Sequence, residues 1–290
     1  MAKTMRVFVT GATGWIGTAV VKELRTAGHS VLGMAHSDAG AAKLTALGVD
    51  VYRADIREPA ALVQGVRSTD ATIHLAFHMD FSDFAGINKI DREAITAMLS
   101  VKKPLIGTNG TLIVAHPGKV SVETDDVPVA SPLAVRHEAE KLVTAAGGTV
   151  IRLAPTVHGA GDHGFVAMLV KLARDKGVAG YLGDGQQHWP AVHRDDAAVL
   201  YRLALEQAPG GVLHGTAEQG ISQRAIAEAI GEGLGVSVRS VAPDHFGWMA
   251  AVVGLDNRAS NDLTRARLGW LPEGVGLLDD IRANYCGNLA

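Results

Sequence analysis

Gly11, Gly14 and Gly17 recur at three-residue spacing in VTGATGWIG, between a β-branched run and an amphipathic stretch. Each glycine at that junction answers a separate demand. Gly11 permits a tight turn out of the strand, Gly14 lets backbone amides close on a diphosphate, and Gly17 lets the next helix pack against the strand. The helix N-terminus then favours the anion. Thr13, Trp15 and Ile16 share the turn, so the stretch reads as a dinucleotide-binding loop. Metal chemistry is not expected. The 12 histidines include no HExxH and no paired cysteines, and His158-Gly-Ala-Gly-Asp162-His163 reads as a glycine-rich loop.

The end of the second strand decides which dinucleotide is taken. NAD sites place an acidic residue there, about 20 residues beyond the glycines, to bind ribose hydroxyls. Here the strand ends Met34-Ala35-His36-Ser37, and Asp38 is suited instead to cap the following helix. His36 and Ser37 donate hydrogen bonds to a 2′-phosphate without repelling it. NADPH or NADP is therefore expected ahead of NADH, although no arginine stands in this segment.

These residues need a scaffold, and the chain supplies the pattern of one. Strand-like runs occur at 5–10, 29–35, 49–54, 71–77, 103–110 and 148–154, separated by helical patterns such as WIGTAVVKELRTAG. Runs with few polar interruptions, alternating with helices, predict an α/β fold with a doubly wound parallel sheet of Rossmann type. Residues 1–155 form the nucleotide-binding region in this reading. Residues 156–290 form a small, mainly helical substrate lobe with some returns to the core. Of the 290 residues 47% are apolar and 20% charged, enough for a large core. A net charge of −3 gives no reason to expect nucleic acid, and no apolar run approaches the roughly 18 residues of a membrane span. Cys286 is the only cysteine, so no internal disulfide forms. A cytoplasmic monomer or homodimer is expected.

Further motifs carry a resemblance. Asp55-Ile56 follows the third strand and Ile73-His74-Leu75-Ala76 forms the fourth. Arg152-Leu-Ala-Pro155, His158-Gly159 and Trp189-Pro-Ala-Val192-His193-Arg-Asp195-Asp196-Ala197 lie further on. With the glycine loop they resemble the extended and atypical short-chain dehydrogenase/reductases, the NAD-dependent epimerase/dehydratase-like group, over nearly the whole chain. The resemblance implies that Asp55 and Ile56 lie at the adenine and that Leu75 and Ala76 lie beside the cofactor. His74 is read as a satisfied buried histidine, and Asp195 and Asp196 as helix caps.

In that group a Tyr-x-x-x-Lys pair and a Ser/Thr assist the carbonyl. In SPLAVRHEAEKLV the matching positions hold Pro132 and Arg136. Proline has no donor, and arginine keeps its charge without readily releasing a proton. The hydroxyl position falls in Gly107-Thr108-Asn109-Gly110-Thr111; Thr111 is chosen as the polarising group, with Thr108 and Asn109 beside the cofactor. His116 is a further candidate donor. His78, Asp80, Ser82 and Asp83 offer polar groups after the fourth strand, and equally a helix-start cap. Phe246, Met249 and Val253 share one helical face, with Trp248 beside it. This stripe is read as core or as an apolar lid opposite Phe165, Met168 and Leu169.

The expected activity is reduction of a bulky, hydrophobic ketone by NADPH without a tyrosine acid. The pattern is similar to the atypical reductases that tailor aromatic polyketides in antibiotic pathways. A phenol beside the ketone then serves as proton source. The alternatives are a redox sensor that binds NADP without turnover and an epimerase or isomerase.

Overall fold

The computed structural model describes residues 3–77, 83–128, 131 and 133–287. In the first half strand and helix alternate: β1 (Arg6–Thr10), α1 (Trp15–Thr26), β2 (Ser30–Ala35), α2 (Asp38–Ala46), β3 (Asp50–Arg53) and α3 (Pro59–Arg67). Then follow β4 (Ala71–His74), α4 (Phe84–Leu99), β5 (Leu105–Gly110), β6 (Val120–Ser121), α5 (Val135–Ala145) and β7 (Thr149–Leu153). The second half opens with β8 (Thr156–His158), α6 (Phe165–Lys176), β9 (Val178–Leu182), β10 (His188–His193), α7 (Arg194–Gln207) and β11 (Gly211–Gly215). It closes with β12 (Glu218–Ser222), α8 (Gln223–Leu234), β13 (Ser237–Val241), α9 (Ala250–Val253), β14 (Arg258–Ala259), α10 (Asp262–Leu268) and α11 (Leu277–Asp280).

Seven strands form one parallel sheet in the order β11-β7-β5-β4-β1-β2-β3. The fold is the doubly wound α/β arrangement. Alternation along β1 shows why both faces are covered. Val7 and Val9 pack with α1, α2 and α7, while Phe8 packs with α3, α4 and α5 on the other face. The order of strands reverses between β1 and β4, and the crevice outside their carboxyl ends is where such sheets bind ligands.

After β7 the chain leaves this sheet for β8 and β10, which with β12 form a three-stranded sheet, and then returns to it. β11 pairs with β7 at the sheet edge, α7 lies against α1, and Trp270 is buried in the same core as Val20 and Leu24. The remaining elements form a lobe whose core gathers α6, α8, Trp189, Phe246 and Leu277. No helix among the described residues is long and apolar enough to cross a membrane.

Candidate active site

Gly11 leaves β1 with φ of +66°, and a side chain there would meet Ala76 N at 2.6 Å and the Leu75 carbonyl carbon at 2.7 Å. Only glycine fits, and Leu75 and Ala76 press directly on the loop. Thr10 seals the same seam. Its hydroxyl accepts from Ala76 N at 3.3 Å and meets His74 Nδ1 at 2.7 Å, while His74 Nε2 reaches Asp91 Oδ1 at 3.1 Å. With the carboxylate accepting, Nε2 carries the proton and Nδ1 accepts from the threonine, so both ring nitrogens are satisfied in the core.

α1 begins immediately behind the loop. Gly14 caps it without a side-chain bond and its first turn holds no acidic residue. The amides of Trp15, Ile16 and Gly17 therefore stand at a positive helix end with no intrahelical acceptor, a donor set that fits a diphosphate. The Thr13 carbonyl accepts from Lys43 Nζ at 2.9 Å, which ties α2 to the loop.

At the far end of the crevice Ser37, not Asp38, caps α2, its hydroxyl accepting from Gly40 N at 3.2 Å. This corrects the role expected of Asp38, which lies exposed at the first helical position and pairs with Arg53 Nη2 at 3.0 Å. Strand register brings Arg53 there, since Ala35 on β2 lies opposite Arg53 on β3. An arginine thus stands beside His36 and Ser37. It arrives from the third strand and not from the segment that ends the second. Asp55 is gripped by Arg57 through Nε and Nη2, each at 2.8 Å, and this pair lowers its carboxyl to about 2. Ile56 packs partly buried beside the Phe8 side of the sheet.

At the carboxyl end of β5 consecutive side chains diverge. Thr108 turns under the sheet, donating to the His74 carbonyl at 2.8 Å and meeting the Tyr201 hydroxyl at 2.7 Å. Asn109 turns the other way. Its Oδ1 accepts from Arg136 Nε at 3.0 Å, and its Nδ2 donates to the Arg136 carbonyl and to Glu140 Oε2, both at 3.3 Å. Glu140 is fixed in turn by buried Arg152, whose Nε lies 2.9 Å away. The Arg136 guanidinium lies 4.0 Å over the Phe77 ring. Loss of water there lowers its pKa, while nearby Asp91 opposes the shift. Neither the pairing with Asn109 nor Phe77 as a platform was legible from the motif.

Thr111 does not join this group. It is fully buried, and its hydroxyl accepts from Asn257 Nδ2 at 3.0 Å. The bond ties the end of β5 to the second half of the chain and leaves the hydroxyl closed to solvent. His116 lies in a turn closed by Lys119 N on its carbonyl, next to Asp125, and makes no bond to Arg136. Asp83 caps α4 by accepting from Gly86 N. His78, Asp80, Ser82 and Pro132 lie outside the described residues.

All four tyrosines have other work. Tyr52 bonds the Ala61 carbonyl, Tyr181 lies under Arg224, and Tyr285 donates to Asp162 Oδ2 at 2.8 Å. Tyr201 meets Thr108 from beneath the sheet; it is fully buried, and burial pushes its hydroxyl above the ordinary tyrosine range. The glycine-rich loop after β8 is likewise engaged: His158 Nδ1 meets Asp280 at 2.7 Å and His163 stands edge-on to Trp15.

In the lobe the apolar stripe divides. Phe246, Met249 and Val253 are buried in its core, the first of the two readings the spacing allowed. Trp248 is 59% exposed and Met168 39%. Phe165 stands between, 5.7 Å from Trp189 and 6.3 Å from Trp248 by ring centroids. Leu169 is buried with the core.

A sequence profile of the NAD dependent epimerase/dehydratase family matches residues 7–87, from β1 past the start of α4. An uncharacterized protein of Saccharomyces cerevisiae is 42% identical over 98% of this chain and 100% of its own. The chain belongs to the NAD-dependent epimerase/dehydratase family. Among this family's relatives, the 2-alkyl-3-oxoalkanoate reductase of Stenotrophomonas maltophilia is 29% identical over 73% of this chain and 69% of its own. The fold matches the NAD complex of UDP-glucose 4-epimerase from Thermus thermophilus, with a TM-score of 0.79 and 21% identity over 99% of this chain and 100% of that one.

Proposed function

We propose that this family member is an NADPH-dependent carbonyl reductase for a bulky, aromatic ketone of polyketide type, working without a tyrosine acid. The observation that carries the reading is Arg136, stacked on Phe77 and aligned by Asn109 at the carboxyl edge of the sheet. A bound nicotinamide dinucleotide supplies the hydride. The amides of Trp15, Ile16 and Gly17 would hold its diphosphate, and Ser37, His36 and Arg53 would meet a 2′-phosphate. The Arg136 guanidinium offers fixed N–H donors to the ribose or to the oxygen that gains charge. As a permanent cation it stabilises that oxygen without giving up a proton.

A proton must then come from elsewhere, and a phenol adjacent to the ketone is a source already in place. The neighbouring reductase of a 2-alkyl-3-oxoalkanoate supports redox chemistry on a ketone. Exposed Trp248 and Met168 flanking Phe165 offer an apolar wall for a large substrate. The test uses NADPH deuterated at the transferable position with paired polycyclic ketones, with and without an adjacent phenol. Label found only in the product of the phenol-bearing ketone supports the reading. No transfer to any ketone, with cofactor binding demonstrated, turns it toward a sensor of NADP.

A further inference from the structure

Trp15 and Arg194 each occupy the first position of a helix, α1 and α7, and meet where those two N-termini converge. The Arg194 guanidinium centre lies 5.0 Å from the Trp15 ring. His163 packs edge-on to the same indole, and Gly159 of the intervening loop approaches it closely. Among the described residues the buried Trp15 Nε1 has no acceptor, so stacking rather than hydrogen bonding sets the ring's position.

This is an unfavourable place for a cation. Helix N-termini carry partial positive charge, and α1 has no acidic residue in its first turn to offset it. α7 has Asp195 and Asp196. Asp196 is committed elsewhere, accepting from Glu273 N at 3.0 Å and Gly274 N at 2.8 Å. Only Asp195 remains, a sequence neighbour with a carboxylate 67% exposed, 3.3 Å from Arg194 Nε. A contact of that kind is weak and easily exchanged. Two positive helix ends and a guanidinium held on an indole call for an anion of more than one charge.

We propose that Arg194 is a clamp for the diphosphate of the dinucleotide, closing on it from α7 while the glycine loop holds it from α1. This rests on the reading that the glycine loop takes a nicotinamide dinucleotide. Arg194 exchanges Asp195 for the diphosphate and stays stacked on Trp15, so the ligand is gripped between the two halves of the chain. The sequence gives no hint of it, because 179 positions separate the partners.

Calorimetric titration of the full chain with NADP+ and with 2′-AMP, which lacks the diphosphate, tests the clamp. Arg194→Met should weaken NADP+ binding about 10- to 100-fold and leave 2′-AMP within about twofold. It should also flatten the dependence of NADP+ binding on salt. Asp195→Asn, which releases the guanidinium, should leave NADP+ binding equal or tighter. Unliganded melting curves establish that both variants fold. NADP+ binding within about twofold of wild type in Arg194→Met overturns the clamp, as does an equal loss of 2′-AMP. A wild-type protein that binds neither NADP+ nor NAD+ refutes the cofactor reading itself.

Discussion

Asn109 and Arg136 hold each other twice, side chain to side chain at 3.0 Å and amide to backbone carbonyl at 3.3 Å. The two contacts fix the guanidinium on Phe77 and the start of α5 against the end of β5 together. Arg136→Met should therefore lower kcat/KM for ketone reduction about 100-fold, the scale of losing one aligned donor at a developing oxyanion. Arg136→Lys keeps the charge but loses the stacked plane and should recover only part. Asn109→Ala should lie between them. Steady-state kinetics with parallel NADPH titrations make the measurement, and full turnover in Arg136→Met would remove the residue from the reaction.

Arg53 sets a second expectation. It reaches Asp38 beside the Ser37 cap, where a 2′-phosphate would replace a weak, exposed pair by a charge-assisted one. Arg53→Ala should weaken NADPH binding about tenfold while NADH changes by less than about twofold. Asp38→Ala should favour NADPH further. Equal losses for both dinucleotides in Arg53→Ala would deny it a part in the choice.

What the sequence reveals here depends on distance along the chain. The sheet and the glycine loop were legible because they follow from local periodicity and from a turn that only Gly11 can make. The partners that give side chains their roles were not. Thr111 was chosen for its place after a glycine turn, yet Asn257, 146 residues later, takes its hydroxyl into the core. Arg53 gains its neighbours from another strand, by register rather than by succession, so its own segment does not mark it. The face of the 245–255 stripe was ambiguous for a related reason. Its spacing marks one side of a helix, but only packing against α6 and α8 shows that Phe246 and Met249 face inward and Trp248 outward.

Thr111 and Asn257 also yield a stability prediction. Thr111→Val leaves the Asn257 amide buried without its acceptor, a loss of about 1–3 kcal/mol. Urea unfolding should show that loss at an unchanged slope, and turnover per folded molecule should stay within a few-fold of wild type. A collapse of turnover at undiminished stability would return Thr111 to the reaction.

His214 on β11 predicts a pH dependence. Its Nδ1 meets the Ser260 carbonyl at 2.9 Å, and Glu123, Arg152 and Glu140 are the charges around it. Burial lowers its pKa from 6.5 to about 4, so the folded state holds the neutral ring. The stability this gives is present above pH 6.5 and declines as pH falls toward 4, because the unfolded chain takes up the proton first. Its contribution should fall by about 2 kcal/mol between pH 7 and pH 5. Unfolding curves at the two pH values should separate by that amount more in wild type than in His214→Asn. Equal separations would mean that the ring protonates as readily folded as unfolded.

The substrate wall gives the last expectation. Trp248 is the large apolar side chain most exposed near Phe165, and its neighbours Phe246 and Met249 already anchor that segment in the lobe. Removing the indole should therefore disturb folding little. If a polycyclic ketone lies against it, Trp248→Ala forfeits about 1 kcal/mol of apolar contact, equivalent to a roughly five- to tenfold rise in KM. Small aliphatic ketones and NADPH do not cover that surface and should bind as before. KM values measured across ketones of increasing ring number resolve the question, since the penalty should grow with ring number. A uniform rise for every ketone would point to a displaced lobe, and no rise for any would place the substrate elsewhere.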